Sequence, residues 1–432
     1  MSNVKVDSQY NQCAFCNSSN ITLITDFGDM GLAGGFLAQD ELEWESKYPM
    51  NLGFCPDCYA VQIVDKINSD LIFKKSYFYF SSSIGTLRNH FKEYAEDVVG
   101  RFLPFPPDST VIEFGCNDGV LLFPLAELNV GRIIGVDPAT NVVEKIDDDR
   151  VDIVNSYFDE LCAGDIVDQF GQADLILANN VFAHVDDINA LTRGIDIALA
   201  ENGAFIFEVH YLGKIIEEMQ YDMIYHEHIY YYSLLAIENH FNRYDMLVFD
   251  LKEVENHGGS IRFHVCRKNS NLANPSSQVR QLKESEIKKG FHNASIFQEF
   301  GQKINKQKSD LLRLLNDLKG QEKIVIGYGA SGRANTMLQF CGIDRSLIRY
   351  MVDDALAKKG FYTPGSHLRI ESKIPLSKGV RPDYVVVFAW TFLREICQRN
   401  MKYLELGGKF IVPLPDVKIL DIESIRKLYF IK

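Results

Sequence analysis

Tyr225, His226, Glu227 and His228 form the densest polar and aromatic cluster in the chain, within the run QYDMIYHEHIYYYS. Imidazole titrates near neutrality, and an adjacent carboxylate fixes its tautomer and raises its basicity, so these residue types suit general-base chemistry. A strand or extended loop here places His226 and His228 on one side, and Tyr225 and Glu227 on the other. The helical zinc-protease pattern needs histidines four apart, and these are two apart, so the cluster does not read as a catalytic metal site. His184, at the end of NNVFAH, supplies a second imidazole. A separate group is Cys13-x-x-Cys16 and Cys55-x-x-Cys58, with 38 residues between the pairs. Two such turns complete a tetrahedral shell of thiolates around zinc, a closed shell that is structural and activates no water. The other five cysteines lie among apolar neighbours, where the thiol packs as a small hydrophobe.

The elements that must position these groups follow from periodicity. Residues 1–74 hold both cysteine pairs and no long periodic segment, and a piece of this size needs a metal to fold. From Ser82 to Phe102 the apolar spacing is helical. The runs TVIEFG, RIIGVD, ADLILANN and GAFIFEV then alternate with helical stretches, as in a parallel sheet covered on both faces. This second unit spans 75–270. Residues 270–320 are polar and helical, and read as a long exposed helix linking two bodies. KIVIGYG, IRYMVDD, DYVVVFAW and KFIVPLP repeat the α/β pattern within a third unit, 271–432. The expected architecture is therefore α/β: a small N-terminal four-cysteine zinc-binding domain and two Rossmann-like domains in tandem.

Each Rossmann-like unit carries a glycine-rich turn. In EFGCNDG, Gly115 and Gly119 let a ligand approach the backbone, Glu113 ends the strand before the turn, and Asp137 ends the next strand, where an acid accepts ribose hydroxyls. In GYGASGR, Gly327, Gly329 and Gly332 have dinucleotide spacing, with Asp353 closing the following strand. Taken alone, that turn suits an NAD-dependent oxidoreductase.

The chain has 432 residues, with 45 Lys and Arg against 58 Asp and Glu, a net charge of −13. That balance argues against nucleic acid or an anionic membrane as a partner. No apolar run has the length of a membrane span, and the first dozen residues lack a signal-peptide pattern, so a cytoplasmic location is expected.

EFGCNDG resembles motif I of class I S-adenosylmethionine methyltransferases, with Asn117 at the middle glycine. The resemblance implies that Glu113, Gly115 and Gly119 line the methionine and ribose end of the donor, that Asp137 binds the ribose, and that Asn179 and Asn180 face the methyl group. YFYFSSSIGTLRNH (77–90), NNVFAH (179–184), IYHEHIYYYS (224–233), HGGSIRFHV (257–265), GYGASGRANT (327–336), PGSH (364–367) and DYVVVFAWTF (383–392) add to it in order. With the cysteine pairs, they resemble the three-domain zinc-containing sugar C-methyltransferases that act on nucleotide-linked 4-keto-deoxysugars. That resemblance implies methylation at C3 through an enolate, with His228 as the base, Glu227 assisting it or orienting the sugar, and Tyr225, His184 and Tyr79 holding the sugar or supporting the enolate. It also implies acceptor contacts from Asn180, Tyr77, Gly329 and Arg333, and a last domain that helps hold the sugar nucleotide and binds no dinucleotide. Thr391 stands where this family carries Asn, and Arg333 or its neighbour where it carries Lys. Both positions bear on which acceptor is used. The expected cofactors are S-adenosylmethionine and one structural zinc, and the expected state is a monomer. An O- or N-methyltransferase is the competing reading, beside the oxidoreductase.

Overall fold

The computed structural model describes residues 12–67 and 85–429. Tyr77 and Tyr79 lie outside them. In the head, β1 (Thr22–Met30), β2 (Tyr48–Phe54) and β3 (Val61–Ile63) pair antiparallel. The two cysteine turns are copies of one another. Asn17 N–H returns to the Cys13 carbonyl and Cys13 N–H to Ser18, just as Tyr59 returns to Cys55 and Cys55 to Ala60.

The central unit contains β4 (Thr110–Phe114), β5 (Arg132–Val136), β6 (Val151–Val154), β7 (Ala173–Asn179) and β8 (Leu199–His210). After the two-residue β9 (Tyr230–Tyr231) come β10 (Met246–Val254) and β11 (Ser260–Arg267). Seven of these form one sheet in the order β10-β11-β8-β7-β4-β5-β6. β4 to β8 run parallel, while β11 runs antiparallel to β8 and β10. Val111, Ile112, Ile133, Ile134, Leu175 and Ile176 are wholly buried, as strands covered on both faces require. The strand order reverses between β4 and β7, and ligands of such sheets sit at that crevice.

The last unit has β12 (Val325–Tyr328), β13 (Met351–Val352), β14 (Ile370–Glu371), β15 (Tyr384–Val387), β16 (Lys409–Val412) and β17 (Lys418–Leu420). Their order is β14-β13-β12-β15-β16-β17, parallel except for β17, and it reverses between β12 and β15. Both units are thus Rossmann-like.

The link between the two is not the exposed helix expected. It is a pair, Ser277–Lys289 and Ala294–Gly320. The longer helix buries Phe297, Phe300, Ile304, Leu311, Leu315 and Leu318 in one core that also takes in β1 and β2 of the head and β12 of the last unit. A Cβ on Gly301 would come within 2.2 Å of the Ile24 carbonyl, so the helix lies directly on β1. Its polar composition belongs to the solvent face, and the apolar stripe at helical spacing does the packing.

β9 leaves the central unit and pairs with β3, extending the head sheet. The chain between β8 and β9, which contains Tyr225 to His228, is thereby tied to the head.

Candidate active site

The four cysteine sulfurs lie within 4.8 Å of one another, with Cys13 and Cys58 at 3.5 Å and Cys16 and Cys55 at 3.6 Å. Zinc–thiolate bonds of about 2.3 Å in a tetrahedron give sulfur–sulfur edges of roughly 3.8 Å. The donor set fits. Hydrogen bonding among the sulfurs raises Cys13 and Cys58 and lowers Cys55, so without a metal the group shares its protons, and zinc would take their place when the thiols ionise.

At the turn after β4, Gly115 has φ +70°, and a Cβ there would meet Val181 at 2.0 Å. Only glycine brings this turn so close to the chain after β7. Asp137 braces the turn, accepting from Asn117 N–H at 3.0 Å and Ala139 N–H at 2.9 Å. Asn179 donates to Glu113 Oε1 across the crevice at 3.2 Å. Glu113 Oε2, Asn179 Oδ1 and Asn180 Oδ1 are buried and have no partner among the described residues. Burial pushes the Glu113 carboxyl up to about 8. Buried polar atoms left unmatched at a strand-order reversal fit a polar, cationic donor such as S-adenosylmethionine.

The Tyr225–His228 segment is a tight turn rather than an extended run, so the expected alternation of sides does not hold. His226 donates from Nε2 to the Pro49 carbonyl of the head at 3.1 Å, and burial lowers its pKa. Glu227 accepts the Gly34 N–H of the head at 3.0 Å, and burial raises its pKa. These two side chains anchor the turn from the head side.

His228 points elsewhere. Its Nδ1 lies 2.9 Å from the Met223 carbonyl, which can only accept, so Nδ1 carries the proton and Nε2 keeps its lone pair. The Tyr225 hydroxyl donates to that Nε2 at 3.0 Å. The His184 ring is 4.8 Å and the His210 ring 5.3 Å from His228, centre to centre. Burial pushes His184 down to about 4, so it is neutral at physiological pH. His210 and His228 line one small cavity with Ala183, Ile215, Met223 and Tyr230. Tyr225, His228 and His184 are thus brought together, and Asn180 joins them through the hydrogen bond of the His184 ring to its backbone carbonyl. His210 was not singled out in the sequence. Its only signal is its place at the end of β8, where such sheets carry ligand contacts.

Of the residues in the last unit, Gly332 lies against the Tyr225 ring, about 3.7 Å from where a Cβ would stand. Arg333 makes a two-pronged ion pair with buried Asp222, both contacts at 2.9 Å, and Trp390 Nε1 donates to the same carboxylate at 2.9 Å. Gly329, at φ +90°, donates its N–H to the Val352 carbonyl at 2.8 Å. The PGSH loop is held by the head: Glu45 accepts from Gly365 N–H at 2.8 Å and pairs with His367 at 2.7 Å.

Family comparison accounts for all three units. Residues 13–73 match a zinc binding domain, 87–248 a methyltransferase domain, and 255–415 a C-methyltransferase C-terminal domain. The C-methyltransferase NovU of Streptomyces niveus is 29% identical over 415 residues, covering 96% of this chain and 97% of NovU. The three matches thus follow one another in the order of the three units. The chain is a methyltransferase that uses S-adenosylmethionine and carries a four-cysteine zinc-binding head. Solved structures overlay more loosely. Magnesium protoporphyrin IX methyltransferase of Synechocystis PCC 6803 gives a TM-score of 0.33 at 14% identity, over 42% of this chain and 83% of that one. An S-adenosylmethionine-dependent methyltransferase of Anabaena variabilis gives 0.32 at 16% identity, over 47% and 99%. Among the described residues, no helix is long and apolar enough to cross a membrane.

Proposed function

We propose that this C-methyltransferase methylates C3 of a nucleotide-linked 4-keto-deoxysugar, with His228 Nε2 as the base. The observation that carries the reading is the His228 tautomer, fixed by the Met223 carbonyl so that a basic nitrogen faces the Tyr225 hydroxyl beside a small cavity. A carbon acid must lose its proton to such a base before the methyl can move, whereas a hydroxyl is already nucleophilic and can give up its proton during or after the transfer. The C4 ketone makes the C3 proton removable: its pair of electrons becomes an enolate while the proton moves to Nε2. The Met223 carbonyl then supports the imidazolium through Nδ1–H. Tyr225, displaced from Nε2, can turn its O–H to the enolate oxygen, while neutral His184, its ring 4.8 Å from that of His228, holds the sugar beside it. S-adenosylmethionine, held by Glu113, Gly115, Gly119, Asp137 and Asn179, supplies an electrophilic methyl group when bound. Glu227 fixes the head over the site, and Asn180 contacts the acceptor. Tyr79, with Tyr77 second, completes the acceptor contacts from outside the described residues.

All three units contribute to one site in one chain, which supports action as a monomer. Nine free cysteines, four of them grouped as zinc ligands, support a reducing cytoplasm. The test is mass spectrometry with S-adenosylmethionine and a panel of dTDP-, GDP- and CDP-linked 4-keto-6-deoxysugars. A methyl-sized gain on carbon in one of them is expected, with His228→Ala slowing it by roughly 10²- to 10⁴-fold at unchanged donor affinity. Methyl transfer to a hydroxyl, or full activity in His228→Ala, overturns the reading.

A further inference from the structure

The segment that carries the base is clamped by the second Rossmann-like unit. Tyr221, Asp222 and Met223 form a single 3₁₀ turn between the helix Leu212–Glu217 and the Tyr225–His228 turn. Tyr221 is wholly buried, and its hydroxyl bonds to Gln307 of the long helix, whose amide in turn donates to the Pro413 carbonyl at 2.7 Å. Asp222, 1% exposed, accepts both prongs of Arg333 and the indole N–H of Trp390. The guanidinium also stands over the Trp390 ring, 5.2 Å from its centre. Gln220, just before the 3₁₀ turn, donates to the Gly258 carbonyl at 2.7 Å. Met223, the residue after Asp222, presents the carbonyl that holds His228 Nδ1–H.

We infer that Arg333 and Trp390 are positioning residues: by locking Asp222 they hold the Met223 carbonyl in place, and so set the tautomer and direction of His228. The inference rests on the reading of His228 as the base, and it gives Arg333 and the Trp of the AWTF motif a task other than touching the acceptor. A planar guanidinium suits this task because it spans both carboxylate oxygens while stacking on indole, which a lysine ammonium does not do. The chain of contacts runs from the turn after β12, through a buried ion pair, to the nitrogen opposite the reactive one. A carbonyl fixed in this way acts on a histidine as an orienting carboxylate does elsewhere.

Removing Arg333 alone leaves Asp222 buried and unpaired and risks the fold. The informative variants are therefore Trp390→Phe, which deletes one N–H, and the pair Asp222→Leu with Arg333→Met, which replaces the ions by apolar groups of similar size. Histidine ¹⁵N spectra, assigned with His228→Gln, read the tautomer directly without any acceptor. The expected wild-type pattern is protonated Nδ1 and bare Nε2 at His228. In the paired variant this preference should be lost, donor affinity should stay within about twofold, and proton exchange at the acceptor α-carbon should fall at least tenfold. Trp390→Phe should fall by a few fold. A paired variant that binds the donor and keeps the wild-type His228 pattern overturns the inference, whatever its activity. If His228→Ala still exchanges the proton, the base assignment fails instead, and the two failures are separate.

Discussion

After β4, the acid that ends the next strand, Asp137, accepts N–H groups from Asn117 in the turn and from Ala139 two residues on. After β12, Asp353 does the same with Ala330 at 2.7 Å and Ala355 at 2.9 Å. The two crevices differ in what surrounds that brace. Beside Asp137, Glu113 Oε2 and Asn179 Oδ1 remain buried without partners among the described residues. Beside Asp353, Lys358 donates to the Ala330 carbonyl at 2.6 Å and lies 3.4 Å from the acid itself, with its ammonium above Phe36 of the head. One crevice keeps polar groups unspent for a ligand. The other has spent them on itself, and its glycine-rich turn now presses Gly332 on Tyr225 and sends Arg333 to Asp222. A shared architecture with similar turns therefore supports two tasks, donor binding and scaffolding. The dinucleotide spacing at Gly327, Gly329 and Gly332 describes the turn, whose Ala330 N–H and carbonyl are taken up by Asp353 and Lys358.

The largest expected break in this division comes from the head, which holds the site turn against both units. Cys55→Ser should lose the zinc and much of the head's folding energy, since structural zinc contributes on the order of 10 kcal/mol in small domains. Metal analysis with thermal unfolding checks this. Because Gly34, Pro49 and β3 hold Glu227, His226 and β9, activity should fall with the metal rather than survive it.

Next in size is the contrast between the two crevices. Glu113→Gln should weaken S-adenosylmethionine binding by roughly 10- to 100-fold, the worth of a lost charged hydrogen bond. Asp353→Asn should leave that affinity within about twofold. Calorimetric titration of both variants gives the answer, and equal losses would erase the distinction.

Glu113 also sharpens the comparison through pH. Its folded-state value is raised from 4.5 to about 8 by burial, so the donor-free protein prefers the neutral acid. The stability from this group is fully present below its unfolded value and is lost as pH rises through about 8. Donor-free wild type should therefore lose stability relative to Glu113→Gln over that window in denaturant melts. The smallest effect is expected for Lys358→Ala: donor affinity unchanged, and no enhancement or blue shift of nicotinamide fluorescence when NADH is added.

Much of this was legible in the sequence, and the exceptions share a cause. Strands such as ADLILANN and KIVIGYG announce themselves because a doubly covered strand must be apolar throughout. The cysteine pairs announce themselves because one metal needs four ligands at fixed spacing. The Tyr225–His228 segment showed its chemistry but not its shape: extended chain and tight turn share this composition, and the turn is imposed by the Pro49 carbonyl, the Gly34 N–H and the Met223 carbonyl. Backbone partners leave no mark on side-chain identity. Asp222 gave no signal either, since its importance lies in Arg333 and Trp390, more than 100 positions away. The polar stretch 270–320 misled because its charges are on the outer face, while the stripe from Phe297 to Leu318 binds two units together.

The most direct test of the central claim follows the acceptor's α-proton without any methyl transfer. The enzyme is incubated in heavy water with the nucleotide-linked 4-keto-deoxysugar panel and no S-adenosylmethionine, and mass spectrometry counts deuterium at C3. Incorporation by the wild type, abolished in His228→Ala, is the predicted result. Intact donor binding with no exchange across the panel would contradict it.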